Sequence, residues 1–350
     1  MFKENFPIHT LTSYKIGGPA RYFFEAKNQD ELKLAVEEAK KRNLEFFVLG
    51  GGTNLLIGDE GFPGLVLKPS INFIESSGEE VSVGTGVSMS DLINFSIERG
   101  LSGLEWAGGL PGTVGGAIRG NAGCFGGEIK DVVKSVKSLD VETLREIERN
   151  FPDCDFGYRS SVFSARGGSA LGGKNSRIYN KEIILSTIFS FKKGDAEEIE
   201  KSVNEKIAYR RERHPLEYPN AGSIFKNIPL SRINADVTWI NADTIRVHPR
   251  PPANASNARE LRAGNNPRQS AFTAPVKIDP FPVVPAAYII SEAGLKGVSL
   301  GGAMISPKHP NFIVNVLEAK SSDVKNLIKL VKSEIKNKFD IELEEEIIAT

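Results

Sequence analysis

Apolar side chains recur every three or four residues in several parts of the chain, between charged side chains. Leu32, Ala35, Val36 and Ala39 follow this spacing. Residues with such a spacing share one face of an α-helix, and that face packs against the rest of the protein. Together with cap residues and proline stops, the pattern predicts helices over residues 30–42, 90–99, 195–213, 286–293 and 321–338.

Short apolar runs that end at glycine or at polar residues alternate with these helices. Many of their residues are β-branched or aromatic, which is typical of strands. They predict strands over residues 46–49, 64–67, 81–83, 183–191, 311–316 and 341–348. Because helices and strands are interleaved along the chain, we expect an α+β protein.

Two segments lack either periodicity. Residues 164–181 are rich in Gly, Ser, Arg and Lys, which indicates an exposed loop. Residues 229–285 are interrupted repeatedly by proline and rich in Asn, Ala and Arg. Such a composition buries little apolar surface, so we expect an insertion that bulges outward and is poorly ordered over about residues 234–275. The alternative is a lid that folds over a substrate.

Composition narrows the class of function. The chain has 350 residues, with 44 Lys and Arg against 44 Asp and Glu, which argues against nucleic acid or an anionic membrane as a partner recognised by bulk charge. The two cysteines, Cys124 and Cys154, have no metal-ligand spacing, and no metal site is expected. No signal-like start and no run of about eighteen apolar residues are present, so we expect a cytoplasmic protein.

Two glycine-rich loops, residues 50–54 and 108–116, each follow an apolar stretch. Glycine lets backbone N–H groups surround an anion, so the pair suggests one large dinucleotide held from both sides. A Rossmann site needs a helix directly after the glycines, whereas residues 55–61 indicate strand and turn. The Lys-Ser/Thr ending of a P-loop is also missing. Two glycine turns without a ligand are the alternative.

Four motifs stand in order along the chain: TSYKIGGPA at 12–20, VLGGGTNLL at 48–56, GLPGTVGGA at 109–117 and NAG at 121–123. In these motifs the chain resembles the UDP-N-acetylenolpyruvoylglucosamine reductase family. The resemblance covers nearly the whole sequence outside the segments near 165–180 and 229–280.

The resemblance implies a fold and an activity. The fold would be an FAD-binding region of the vanillyl-alcohol oxidase type in two α+β parts, residues 1–75 and 76–194, followed by an α+β substrate-binding domain, residues 195–350, with the insertion. The activity would be reduction of UDP-N-acetylglucosamine enolpyruvate to UDP-N-acetylmuramate by NADPH through FAD, in peptidoglycan precursor synthesis. The implied FAD-binding residues are Gly50, Gly51, Gly52, Thr53, Asn54, Gly108, Pro111, Gly112, Thr113, Gly115, Gly116, Asn121, Ala122 and Gly123.

The resemblance also implies three catalytic residues. Ser223, in YPNAGSIFKN, matches the proton donor. Arg159, in FGYRSS, matches the arginine that holds a carboxylate and stabilises enolate charge. Glu346, in LEEEI, matches the catalytic carboxylate, with Glu344 as the candidate if the register slips. The implied substrate-binding residues are Tyr158, Lys226 and Asn227.

Other functions stay open at this point. One is an FAD-dependent oxidase of the same cofactor fold acting on another substrate, and another is a non-catalytic nucleotide-binding protein. The combination of Ser223, Arg159 and Glu346 disfavours both, because an oxidase has no need to pair a proton donor with anion-stabilising groups. We expect a monomer whose partners are the nucleotide sugar and NADPH. The basic cluster formed by Tyr209, Arg210, Arg211 and Arg213 is suited to bind a diphosphate; the alternative is that it forms a solvated helix face.

Overall fold

A computed structural model describes residues 1–164, 181–233, 235–241, 244–249, 272–277 and 281–350. The predicted loop over 165–180 therefore lies outside the described residues. The chain forms two compact units, one of Met1–Leu216 with Ile348–Thr350 and one of Glu217–Ile347. The finer division into residues 1–75, 76–194 and 195–350 stays a prediction.

Six α-helices lie in the described part of the chain. They are α1 (Gln29–Lys41), α2 (Met89–Glu98), α3 (Val114–Gly120), α4 (Ala196–Arg213), α5 (Ala286–Glu292) and α6 (Ser321–Phe339). All five predicted helices are confirmed, and their ends differ from the prediction by at most one residue. The short α3 was not predicted. The described helices and strands together confirm the expected α+β class, and no described helix is both long and apolar enough to cross a membrane.

Side-chain caps explain where several helices begin. The side chain of Asn28 accepts a hydrogen bond from the N–H of Glu31 at the start of α1, and Ser88 does the same for Asp91 at the start of α2. Asp195 accepts from two N–H groups in the first turn of α4. Each cap satisfies backbone donors that have no partner within the helix.

The first unit contains two main sheets. A four-stranded sheet has the order Lys3–Phe6, Ala20–Ala26, Phe62–Pro69 and Phe46–Val48, with the first pair antiparallel and the others parallel. A five-stranded antiparallel sheet has the order Glu146–Asn150, Val133–Asp140, Glu182–Ser190, Glu80–Gly84 and Ile74–Ser77. Short two-stranded pairs join Gly123–Cys124 with Gly127–Glu128, Leu101–Ser102 with Lys192–Lys193, and Leu55–Leu56 with Ile348–Ala349.

Apolar faces of helices cover these sheets. Leu32, Ala35, Val36 and Ala39 of α1 are buried in a cluster with Leu65 and other residues of the four-stranded sheet. A larger cluster joins α2, α3 and α4 to the five-stranded sheet. Burial of this apolar area supplies the main stabilisation of the unit, and it fixes α3 and α4 beside the second glycine loop.

The second unit is built on short strands and α6. Antiparallel strands Ser299–Leu300, Ala303–Ile305 and Ile313–Asn315 form one sheet, and Ile228–Pro229 pairs with Val283–Val284. The apolar face of α6 is buried through Val324, Leu327, Ile328, Val331 and Ile335.

Two predictions for this unit differ from the structure. Within the segment expected to be poorly ordered, Ala235–Asn241, Thr244–Pro249 and Phe272–Pro275 form a three-stranded antiparallel sheet. The rest of that segment, residues 250–271 included, lies outside the described residues. The strand predicted over 341–348 is wrong: the segment makes one isolated bridge at Glu345, and a two-residue strand begins only at Ile348.

Candidate functional site

The two glycine loops lie directly against each other in the first unit. A Cβ atom on Gly51 would lie 2.6 Å from the Cα of Gly112, and one on Gly50 would lie 3.1 Å from Thr113 Oγ1. Gly112 itself has a φ of +111°, a backbone angle that residues other than glycine rarely adopt. Glycine is therefore required at position 51, where a Cβ atom would collide with backbone, and favoured at position 112 by its φ.

Backbone donors in the first loop remain available for a ligand. Among the described residues, the N–H groups of Gly50, Gly51, Gly52 and Thr53 donate to no protein acceptor. Consecutive N–H groups of this kind form concave sites for anions. The strand Leu55–Leu56 follows the loop, as predicted, so no helix dipole assists there. The arrangement fits the diphosphate of FAD.

The second loop leads into α3. The side chain of Thr113 caps the helix by accepting from the N–H of Gly116. Gly115 lies tightly against Thr85, since a Cβ there would be 1.9 Å from Thr85 Oγ1. Two of the first three residues of α3 are glycines, and glycine is a poor helix former. The Thr113 cap and the contact with Thr85 therefore support the start of this helix.

The predicted basic cluster at the end of α4 supports the same loop. Arg210 Nε donates to the carbonyl of Gly108 at 2.9 Å, and its Nη2 lies 2.9 Å from Cys124 Sγ. The guanidinium also lies over the ring of Phe125, 5.3 Å from its centre. Arg210 therefore holds two protein segments together, which is a role other than that of a solvated helix face.

A tight hairpin presents Arg159 and Tyr158. Gly157 and Ser160 exchange both backbone hydrogen bonds, at 3.0 and 3.1 Å, so the two residues between them form the turn. Arg159 has a φ of +55° and donates from Nη2 to the carbonyl of Gly123 at 2.7 Å. Its guanidinium lies 5.3 Å from the centre of the Tyr158 ring.

Asn121 ties this hairpin to the end of α3. Its side chain is fully buried, donates from Nδ2 to the carbonyl of Gly157 at 2.9 Å and accepts from the N–H of Lys130. The backbone N–H of Ala122 donates to Ala117, which closes the helix. The first unit thus brings the predicted residues Asn121, Ala122 and Gly123 together with Arg159.

In the second unit, the segment around Ser223 runs beside the C-terminal segment. The N–H of Glu346 donates to the carbonyl of Ile224 at 2.8 Å, and the N–H of Lys226 donates to the carbonyl of Glu344 at 2.9 Å. Ser223 directly precedes Ile224, so these bonds hold Ser223 and Glu346 in adjacent segments of the chain. Both side chains are partly buried.

Glu344 forms a separate ionic group with Lys226 and Arg232. Its Oε1 lies 2.5 Å from Lys226 Nζ, and its Oε2 contacts Arg232 Nη1. Burial acts to raise the pKa of Glu344, but the hydrogen bonds from the two cations outweigh it and lower that pKa. The carboxylate of Glu344 is therefore engaged by protein cations. Asn227, the last predicted substrate residue, accepts from the N–H of Ala286 at 3.2 Å.

One residue that the sequence did not single out joins this site. Asn311 is buried, and its side-chain amide bonds to both backbone polar groups of Phe225, at 3.0 and 2.8 Å. An asparagine in a loop beside a strand carries no local signal for such a contact, which joins residues 86 positions apart.

Comparisons with known proteins agree with the two units. The family model described as UDP-N-acetylenolpyruvoylglucosamine reductase, C-terminal domain, matches residues 214–350, and the model described as FAD binding domain matches residues 20–143. The chain is 34% identical to the UDP-N-acetylenolpyruvoylglucosamine reductase of Treponema denticola, with 98% of this chain and 91% of the relative covered. It is 33% identical to the reductase of Caldanaerobacter subterraneus subsp. tengcongensis, with 98% and 91% covered.

A solved structure is also similar. The crystal structure of UDP-N-acetylenolpyruvylglucosamine reductase from Thermus caldophilus superposes with a TM-score of 0.68 and 27% identity, over 100% of this chain and 98% of that one.

Proposed function

Because the chain belongs to the UDP-N-acetylenolpyruvoylglucosamine reductase family, we propose that it reduces UDP-N-acetylglucosamine enolpyruvate to UDP-N-acetylmuramate, for peptidoglycan precursor synthesis. The observation that carries the proposal is the pairing of the Ser223 segment, residues 223–226, with the Glu346 segment, residues 344–346. The N–H of Glu346 donates to the carbonyl of Ile224 in this pairing. The oxidase alternative is less supported, since relatives named as reductases match nearly the whole chain.

FAD, when bound, supplies the transfer of hydride from the nicotinamide reductant to the enolpyruvyl carbon. The chain's contribution is to hold the cofactor and the substrate. We assign the diphosphate to the backbone N–H groups of Gly50, Gly51, Gly52 and Thr53. The contact between Gly51 and Gly112 supports this assignment, because it keeps the first loop in one conformation. The other implied FAD residues extend the same surface of the first unit.

Arg159 would hold the carboxylate of the enolpyruvyl group. Its guanidinium carries a permanent charge and can hydrogen-bond two oxygens at once. Addition of hydride to the double bond places negative charge on the carbon next to that carboxylate, and a fixed cation stabilises this charge. The hydrogen bond to Gly123 and the buried Asn121 support the role, since both restrict the hairpin.

Ser223 would give the proton that completes the reduction. A hydride and a proton add across the carbon–carbon double bond, so one protein group must deliver the proton to the carbon that does not receive hydride. Glu346, in the neighbouring segment, would orient the hydroxyl or replace its proton. Glu344 is less suited, because Lys226 and Arg232 already hold its carboxylate.

The remaining assignments concern binding. Lys226 and Asn227 would contact the phosphates or sugar of the substrate, and the half-buried Tyr158 ring beside Arg159 would line its site. We also propose NADPH as the reductant, the cytoplasm as the location, and a monomer as the active state.

A steady-state assay with a product analysis tests the proposal. Purified protein loaded with FAD should oxidise NADPH only slowly alone and rapidly when the enolpyruvyl nucleotide sugar is added. Mass spectrometry should find a product heavier than the substrate by two hydrogens. Oxidation of NADPH that is indifferent to the nucleotide sugar, with peroxide as the product, would instead support an oxidase.

A further inference from the structure

The Ser223 segment has a hydrogen-bonding neighbour on each side, and one of them is a side chain. On one side, the backbone of Glu344 and Glu346 bonds to Lys226 and Ile224. On the other side, Phe225 N–H donates to Asn311 Oδ1 at 3.0 Å, and Asn311 Nδ2 donates to the carbonyl of Phe225 at 2.8 Å. The carboxamide thus takes the place of a strand partner.

Asn311 is well placed to fix this segment. Its backbone carbonyl accepts from the N–H of Ile224 at 2.8 Å. The backbone and the side chain of Asn311 therefore bind two consecutive residues, Ile224 and Phe225. Asn311 is 4% exposed and Phe225 is 1% exposed. Hydrogen bonds in such a dry environment are strong, and removing one partner leaves a buried polar group unpaired.

The loop that carries Asn311 is itself restrained. Ser306 Oγ accepts from the N–H groups of Lys308 and His309, each at 3.2 Å. The N–H of Ser306 donates to Phe312 at 2.8 Å, and that of Phe312 donates to His309 at 2.9 Å. Burial lowers the pKa of His309 to about 4, so its ring stays neutral near pH 7 and places no charge beside Asn311.

We propose that Asn311 is a positioning residue, which sets the direction of the Ser223 hydroxyl by holding Ile224 and Phe225. The inference rests on the proposed role of Ser223 as proton donor. Asn311 has no part in loading the cofactor or in its reduction by NADPH. A small displacement of a proton donor is costly, because misplacement by about 1 Å can lower a rate by roughly 10²-fold.

Asn311→Asp tests the idea with little change of shape. The aspartate keeps the acceptor for Phe225 N–H and replaces the donor to Phe225 C=O with an oxygen. We expect the rate at which the nucleotide sugar reoxidises the flavin to fall about 30-fold or more, while the rate of flavin reduction by NADPH changes less than about threefold. Asn315→Asp is the control, because the Asn315 side chain accepts from Ala319 N–H, and an aspartate keeps that bond.

A double-mutant comparison separates positioning from general structural damage. If Asn311 acts through the Ser223 hydroxyl, Asn311→Asp should slow reoxidation less than about threefold in the Ser223→Ala background. Equal loss in both backgrounds overturns the inference. Should Asn311→Asp unfold, the uncharged Asn311→Ser takes its place in the same comparison.

The outcomes also separate this inference from the proposed function. If Ser223→Ala slows reoxidation by about 10²-fold or more and Asn311→Asp behaves like Asn315→Asp, the positioning role fails and the proton-donor role stands. If Ser223→Ala reoxidises at the normal rate, the proton-donor role itself fails, and the inference fails with it.

Discussion

Gly51 meets Gly112 so closely that the first glycine loop has no room for a Cβ atom at the contact. A Cβ on Gly51 would lie 2.6 Å from the Cα of Gly112, and the obstructing atom is backbone, which cannot rotate away. The contact locks the first loop in the conformation that leaves its N–H groups without protein acceptors.

Gly51→Ala should weaken FAD binding about tenfold or more, because the extra methyl overpacks the contact and moves the loop. The amount of flavin retained by purified protein, together with its dissociation constant by fluorescence, measures the effect. Gly78→Asn is the matched control: Gly78 has a φ of +65° and open space around it, and asparagine tolerates that backbone. Equal flavin affinity in the two variants would contradict the assignment.

Arg159→Lys should raise the KM for the nucleotide sugar about tenfold or more while leaving flavin reduction by NADPH nearly unchanged. Lysine keeps the positive charge but cannot bond two carboxylate oxygens in one plane. Initial rates at varied substrate, and stopped-flow reduction by NADPH, give the two quantities. Arg145→Lys, in the turn of the five-stranded sheet, is the control. A KM equal to that of the control would argue against carboxylate binding by Arg159.

Glu344 and Glu346 should respond differently to the same substitution. Glu346→Gln should lower kcat strongly, because the proposed carboxylate is lost. Glu344→Gln should act mainly on KM, because it releases Lys226 and Arg232 from their partner. Steady-state kinetics of the two variants decide the register. A kcat loss confined to Glu344→Gln would move the catalytic role to that residue.

Stability at acid pH should depend on Glu182. Its carboxylate accepts hydrogen bonds from Arg149 Nη2 at 2.6 Å and from Ser138 Oγ at 2.7 Å. Burial acts to raise its pKa, but the hydrogen bonds from Arg149 and Ser138 lower it below 4.5. A lowered folded pKa stabilises the protein above the unfolded pKa, and the stabilisation is lost as pH falls through the folded pKa.

Glu182→Gln should therefore cost about 1–3 kcal/mol near pH 7 and less at an acid pH below the folded pKa of Glu182. Thermal or urea unfolding at the two pH values measures the difference. Glu148→Gln, on the edge strand Glu146–Asn150 of the same sheet, is the control. A cost for Glu182→Gln that is the same at both pH values would show that the ion pair is not its source.

The regular helices were predictable because their apolar positions repeat with the helical period. The helix α3 was not, because Val114–Gly120 contains three glycines and its stability comes from the Thr113 cap and contact with Thr85. The C-terminal strand was overestimated because residues 341–348 resemble an alternating strand, whereas Glu345 makes an isolated bridge and regular pairing begins only at Ile348. The sheet containing Thr244–Pro249 was missed because prolines dominate the surrounding composition.

The residues of the site were likewise predictable only where a local sequence pattern marks them. Motifs pointed to Ser223, Arg159 and Glu346, because each lies in a short local pattern. The partners that hold them are distant in sequence: Asn121 bonds Gly157 across 36 positions, and Asn311 bonds Phe225 across 86. Local patterns carry no information about such pairs, so only the folded chain reveals them.

Ser223→Ala, followed in the two half-reactions, tests the central claim most directly. Stopped-flow absorbance should record reduction of the bound flavin by NADPH at nearly the normal rate, because Ser223 takes no part in it. Reoxidation by the enolpyruvyl nucleotide sugar in the absence of oxygen should be slower by at least about 10²-fold, which is typical of a lost general acid. Reoxidation at the normal rate, or equal loss in both half-reactions, would contradict the role of Ser223 as proton donor.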